Sequence, residues 1–166
     1  MRKGFTLIEL IIVIILFIII VGFAGWSFVV GLRTWASGMN RTEIRQDSAL
    51  AMERMVRELS QAKLITIAQV DTVKFAADAD DDGADETITF DTLTGNLNRT
   101  VKDTITVLAR NVNSFQLAYY DLNDVLLDFP VLGADRDNIR VITITLTMNK
   151  ADETLTLSSG AYARNQ

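Results

Sequence analysis

From Leu10 to Trp26 the chain carries no charged or strongly polar residue, and with its flanks the apolar stretch runs from about Phe5 to Leu32. A helix needs roughly 20 such residues to cross the hydrocarbon core of a bilayer. This stretch is long enough, and it contains no proline. Gly22, Gly25 and Gly31 interrupt it, and glycine is tolerated in membrane helices. Whatever the rest of the chain does, this segment must be covered by lipid or by protein.

The pattern changes after Leu32 but stays helical. Trp35, Met39, Met52, Met55, Val56 and Leu59 form a spaced apolar stripe, and the later members follow the i, i+3, i+4, i+7 rule. Arg41, Glu43, Arg45, Asp47, Glu53, Arg54, Arg57 and Glu58 lie between them, as on a solvated helix face. Only Gly38 could stop a helix here. The sequence therefore predicts one helix over about residues 5–64, which at ~1.5 Å per residue is about 90 Å long. No domain this small buries such a helix along its whole length.

Beyond residue 65 the period becomes two. Thr87–Asp91, Thr104–Ala109, Phe115–Asp121, Arg140–Met148 and Thr154–Ser159 alternate apolar and polar side chains, and Val141–Thr147 is the clearest strand. Turn signals separate them at Asp82-Gly83, Thr94-Gly95-Asn96, Asn123-Asp124 and Gly133–Asn138. Short connections imply an antiparallel sheet, and the stripe on the second half of the helix is the surface available to cover it. The expected class is α+β.

Composition removes several functions. There is no cysteine and no histidine, so disulfides, Cys- or His-ligated zinc and any His-containing triad are excluded. No P-loop and no G-x-S-x-G is present, and no two carboxylates are placed across a cleft as in glycosidases. The chain is not expected to be an enzyme. Charge is unevenly divided: residues 1–64 hold 8 basic and 5 acidic groups (+3), and residues 65–166 hold 8 and 16 (−8), giving the total of −5. An acidic half repels phosphates, so no nucleic acid partner is expected for it.

The first ten residues read Met-Arg-Lys-Gly-Phe-Thr-Leu-Ile-Glu-Leu. A basic start before an apolar run superficially suggests a secretory signal. However, the run is long and no small-x-small cleavage pattern follows before Trp35. Gly4-Phe5-Thr6-Leu7-Ile8-Glu9-Leu10 followed by the span resembles the class III prepilin signal of type IV pilins and type II secretion pseudopilins. The resemblance implies that residues 1–4 are a leader, that a prepilin peptidase cuts between Gly4 and Phe5, and that Phe5 is N-methylated. It implies that Glu9 pairs with the terminal amine of a neighbouring subunit during assembly. Physical chemistry is consistent with that role: an ionisable group inside a membrane costs about 2.5–3.5 kcal/mol unless partnered. The resemblance also implies a single-pass protein of the cytoplasmic membrane with a cytoplasmic N-terminus, later part of a periplasmic or cell-surface filament. Its partners would be other pilin or pseudopilin subunits. Charge alone does not orient the span, because Arg2 and Lys3 are balanced by Arg33, Arg41 and Arg45. The expected layout is a leader (1–4), a membrane or filament-core helix (5–32), an amphipathic helix half (33–64) and a β-rich domain (65–166).

Ala49–Ala62, with Arg57-x-Leu59-x-x-Ala62 leading into strands, resembles PilW-like minor pilins and the minor pseudopilin J of type II secretion. Phe115–Asp121, Ile139–Thr147 and the terminal Arg164-Asn165 have the same character. A major pilin, or an anchored ligand-binding domain that never polymerises, are the alternatives.

One further motif stands apart. Asp78-Ala79-Asp80-Asp81-Asp82-Gly83-Ala84-Asp85-Glu86 contains D-x-D-x-D-G, three alternate carboxylates and a turn glycine able to wrap a hard cation. Asp78, Asp80 and Asp82 take the first three ligand positions, Ala84 offers a carbonyl at the next, Glu86 falls at the ninth position, and Asp85 or another group would complete the shell. Thr89 stands where an EF-hand has its bidentate glutamate, so the motif is at most an EF-like calcium loop. The competing reading is a solvated turn.

Overall fold

A computed structural model describes residues 6–78, 80, 82–151 and 153–164. Helix α1 spans Leu7–Ser60, 54 residues without a break. Thr6 caps it, its Oγ1 accepting the Glu9 N–H at 3.3 Å. The helix ends four residues before the expected Leu64. The Glu58 carbonyl accepts the Gln61 N–H at 3.1 Å, and the Leu59 carbonyl accepts the Ala62 N–H at 3.2 Å. These bonds tighten the last turn and satisfy carbonyls that the helix end would leave free. Leu64-Ile65-Thr66-Ile67 then leaves the helix for a strand, and its β-branched residues favour that change.

The chain divides into two units, Met1–Asn40 and Arg41–Gln166. In the first, every described side chain is exposed, and Leu7 and Phe23 are 77% and 72% accessible. Among the described residues it is α1 and the Thr6 cap.

Among its described residues the second unit holds the remainder of α1 and eight strands in two antiparallel sheets. β1 (Leu64–Ala68), β2 (Val73–Ala77), β3 (Glu86–Leu93), β4 (Asn96–Val101) and β5 (Thr104–Ala109) form a five-stranded meander. β6 (Val112–Tyr120), β7 (Val141–Lys150) and β8 (Glu153–Tyr162) form the other sheet. The expected α+β architecture holds, with the antiparallel sheet in two parts. Two hairpins use turns in which both central residues have positive φ: Thr94 and Gly95 (51° and 72°), then Lys102 and Asp103 (48° and 67°). That geometry matches the right-handed twist of the flanking strands. The sheets are joined through backbone bonds, among them Leu117 N–H to Val70 O at 2.7 Å and Val112 N–H to Gly95 O at 2.8 Å.

The core lies where α1 meets the sheets. Ile44, Ala51, Met52, Met55 and Leu59 of α1 are buried together with Phe75, Ile88, Phe90 and Leu97 of the first sheet and Leu117, Ile142, Ile144 and Leu146 of the second. The Phe75 and Phe90 rings meet with centroids 5.8 Å apart. Of the expected stripe, Met52, Met55 and Leu59 are buried and Val56 is partly so, whereas Trp35 and Met39 are exposed. Glu58, expected on the solvated face, is buried. Its carboxylate accepts the Arg99 Nε–H at 2.7 Å and that of Arg54 at 2.9 Å, fastening α1 to β4. Arg41 pairs with Glu153 at 2.6 Å and Glu43 with Lys150, fastening the same helix to the other sheet.

Candidate functional site

Two places carry the residues singled out by sequence. The first is the start of α1. From Leu7 to Leu32 the helix exposes an unbroken apolar surface, and by length and composition it is able to cross a membrane. Glu9 is the single ionisable group of that surface before Arg33. It sits in the first turn, where free N–H groups favour a carboxylate. Its own N–H is taken by Thr6, so the backbone at Glu9 is fixed as part of the helix cap. Gly4 and Phe5, the expected cleavage and methylation residues, lie outside the described residues.

The second is the acidic loop between β2 and β3. Carboxylate oxygens of Asp78, Asp80 and Glu86 lie within 4.8 Å of one another. Glu86 is buried at the start of β3, and Asp78 is half-buried just past β2, so the paired strands bring the two ends of the loop together. Two of the other expected ligands, Asp82 and Asp85, make contacts of their own. Asp82 Oδ1 accepts the Ala84 N–H at 2.8 Å, closing a local turn around Gly83, whose φ is 86°. An aspartate carboxylate bonding the backbone two residues on is the usual device for such a turn. Asp85 pairs with Lys63. Two lysines neutralise part of the cluster. Lys102 bonds Glu86 at 2.9 Å and is held above its ordinary pKa by that hydrogen bond and by the charges of Glu86, Asp80 and Asp82. Lys63 is raised likewise, first by its hydrogen bond to Asp85. Asp78 Oδ2 accepts the Gly83 N–H at 3.0 Å, but among the described residues its buried Oδ1 has no hydrogen-bond partner. A buried carboxylate oxygen without a donor is suited to a cation. Sequence spacing did not reveal either lysine, because Lys63 and Lys102 reach the loop only through the pairing of β1 with β2 and of β3 with β4.

Residues 1–25 match the family model described as the prokaryotic N-terminal methylation motif. This match supports a type IV pilin-like family. It indicates a prepilin-type signal of the kind found in pilins and pseudopilins. The apolar α1 fits a membrane-anchored pilin, and the β-rich unit behind it fits the same architecture. Among curated proteins no match was found.

Proposed function

We propose that this chain is a minor pilin or pseudopilin: a filament subunit cut after Gly4, methylated at Phe5 and packed into its filament through α1. One observation carries the reading. The methylation motif of residues 1–25 opens a helix whose apolar surface is wholly uncovered from Leu7 to Leu32. Burying each large apolar side chain is worth about 1.5–3 kcal/mol, so lipid first and neighbouring helices later give this surface its stable environments. Glu9 would meet the methylated amine of the adjacent subunit and set the axial register. The minor rather than major role rests on the PilW- and J-like character of Ala49–Ala62. The protein would sit in the cytoplasmic membrane with its N-terminus inside, and later in a periplasmic or surface filament serving pilus assembly, secretion or DNA uptake.

Mass spectrometry of the N-terminal peptide from native membranes tests processing. A peptide beginning at Phe5 with one added methyl group is expected; one beginning at Met1 contradicts the reading. Quantifying the subunit in sheared filaments tests the role. A trace component is expected, and a dominant one would make it the major pilin.

A second reading concerns the acidic loop, and the unpartnered Asp78 Oδ1 favours it. Asp78, Asp80 and Glu86 would hold one calcium ion, with Lys102 displaced from Glu86. Calorimetric titration of the full chain in detergent with calcium gives heat that Asp80→Asn abolishes; no heat at millimolar calcium rejects the site.

A further inference from the structure

One face of the β6–β8 sheet is buried in the core, through Leu117, Ile142, Ile144 and Leu146. The other faces solvent, and strand register sets its side chains in rows across the three strands. Tyr120, Val141 and Tyr162 form the first row. Ala118, Thr143 and Gly160 form the second, and Gln116, Thr145 and Ser158 the third. Tyr162 is 76% exposed. The two tyrosines stand two strand spacings apart, about 10 Å. Hydroxyls pair along the sheet, Thr145 Oγ1 with Ser158 Oγ at 3.3 Å and Thr147 Oγ1 with Thr156 Oγ1 at 3.0 Å. Each of them keeps donor or acceptor capacity for a further partner. Among the described residues of these strands no outward position carries a charge. Charged groups come at the ends of the face. Asp121 and Arg164 lie just past the tyrosines, and Arg110 lies in the turn before β6. Lys150 and Glu153 are paired with Glu43 and Arg41 of α1, and Arg140 is turned to the carbonyls of Asp137 and Ile139.

Gly160 has no structural need to be glycine. Inside a strand glycine costs stability, and its usual reasons are a bulge, a tight bend, or close approach by a ligand or another backbone. The β7–β8 register runs unbroken from Val141↔Tyr162 to Lys150↔Glu153, and Gly160 is not among the glycines of positive φ. A methyl group at Gly160 would touch nothing within 4 Å, so packing does not require the glycine either. Close approach is the reason left. Beside Ala118 and Thr143, Gly160 makes a shallow trough between a row with two aromatic rings and a row of amide and hydroxyl groups. A phosphate-bearing ligand would need cations here, and a protein partner would need an apolar centre. A sugar chain fits. The C–H groups on its ring faces lie against the electron-rich faces of tyrosines, and its hydroxyls exchange hydrogen bonds with Gln116, Thr145 and Ser158. We propose that this face binds a neutral, flat, β-linked polysaccharide, laid across the strands along the Ala118–Thr143–Gly160 trough with Tyr120 and Tyr162 against its rings. A single copy suffices for such binding, and the proposal does not depend on the filament reading.

The test is calorimetric titration of the full chain, in a detergent whose head group is not a sugar, with cellohexaose and with chitohexaose. Binding of at least one of them at millimolar sugar is expected. Tyr162→Ala should weaken it about tenfold, the worth of one aromatic contact. Gly160→Val puts a good strand former in the trough. It should abolish binding while the chain unfolds at a denaturant concentration no lower than the wild type does. No heat from either hexasaccharide overturns the proposal. Binding that both variants retain overturns it by placing the sugar elsewhere. A lowered unfolding midpoint in Gly160→Val overturns it by giving Gly160 a structural role. Heparin bound as tightly as the neutral hexasaccharides overturns it as well, because charge and not the neutral face would then select the ligand.

Discussion

The two stretches of α1 differ in a way that their hydropathy would not suggest. From Leu7 to Met39 the helix is the more apolar part of the chain and buries none of its side chains. From Ile44 to Leu59 it is mixed and charged, yet it buries Ile44, Ala51, Met52, Met55 and Leu59, and even the carboxylate of Glu58. Burial is decided by what lies opposite, and for the second stretch that is the two sheets. The first stretch has an apolar face on every side through Leu32. Such a helix belongs in lipid or among other helices.

Substitutions along the same helix should therefore have opposite consequences. The largest effect on the β-rich unit is expected from Glu58→Ala, which leaves the Arg99 guanidinium buried without its partner. Loss of one member of a buried pair costs about 3–5 kcal/mol, measurable by denaturant unfolding of the full chain in detergent. Leu59 is fully buried. Leu59→Ala opens a cavity there and should cost about 2–5 kcal/mol in the same assay. Tyr119 donates its buried hydroxyl to Gln69 O at 3.0 Å. Tyr119→Phe removes that bond and should cost about 1 kcal/mol. Ile14 lies in the uncovered stretch. Ile14→Ala should leave unfolding of the β-rich unit unchanged to within about 0.5 kcal/mol. An effect as large as that of Leu59→Ala would break the comparison.

The smallest effect is one of pH. The Asp121 carboxyl is held below its ordinary 3.8, first by the Val125 N–H and then by Asn123, against the opposing pull of burial. A lowered folded-state pKa means that the stabilisation is present above 3.8 and disappears as pH falls through the lower folded value. Amide exchange at Asn123 and Val125 should accelerate in that acid range before the exchange of β7 does.

Much of this was legible in the sequence because it rests on local pattern. The apolar run, the Met52–Leu59 periodicity and the alternation in Val141–Thr147 each depend on neighbours in the chain. The missed strands depend on distant ones. β4 reads Asn-Leu-Asn-Arg-Thr-Val, a poor strand by composition. It is held in the sheet by Leu97 in the core and by Arg99 reaching Glu58. β1 hid at the end of the helical pattern, and pairing with β2 settles its conformation. The same reasoning applies to the acidic loop. Spacing nominated Asp78, Asp80, Asp82, Ala84, Asp85 and Glu86, but strand pairing gathers three of the carboxylates and supplies the lysines. The Asp121–Leu132 loop gave only a turn signal, because its exposed leucines look like core residues until the fold leaves them outside.

The filament account depends most on Glu9, the one carboxylate on a surface otherwise suited to hydrocarbon. Its direct test is incorporation of Glu9→Ala chains, matched for membrane level and for processing at Gly4, into sheared filaments or secretion pseudopili. The account predicts that Glu9→Ala accumulates, cleaved, in the membrane and is absent from filaments. Filaments that carry Glu9→Ala at the wild-type level would show that α1 is an anchor and that this chain is not assembled through it.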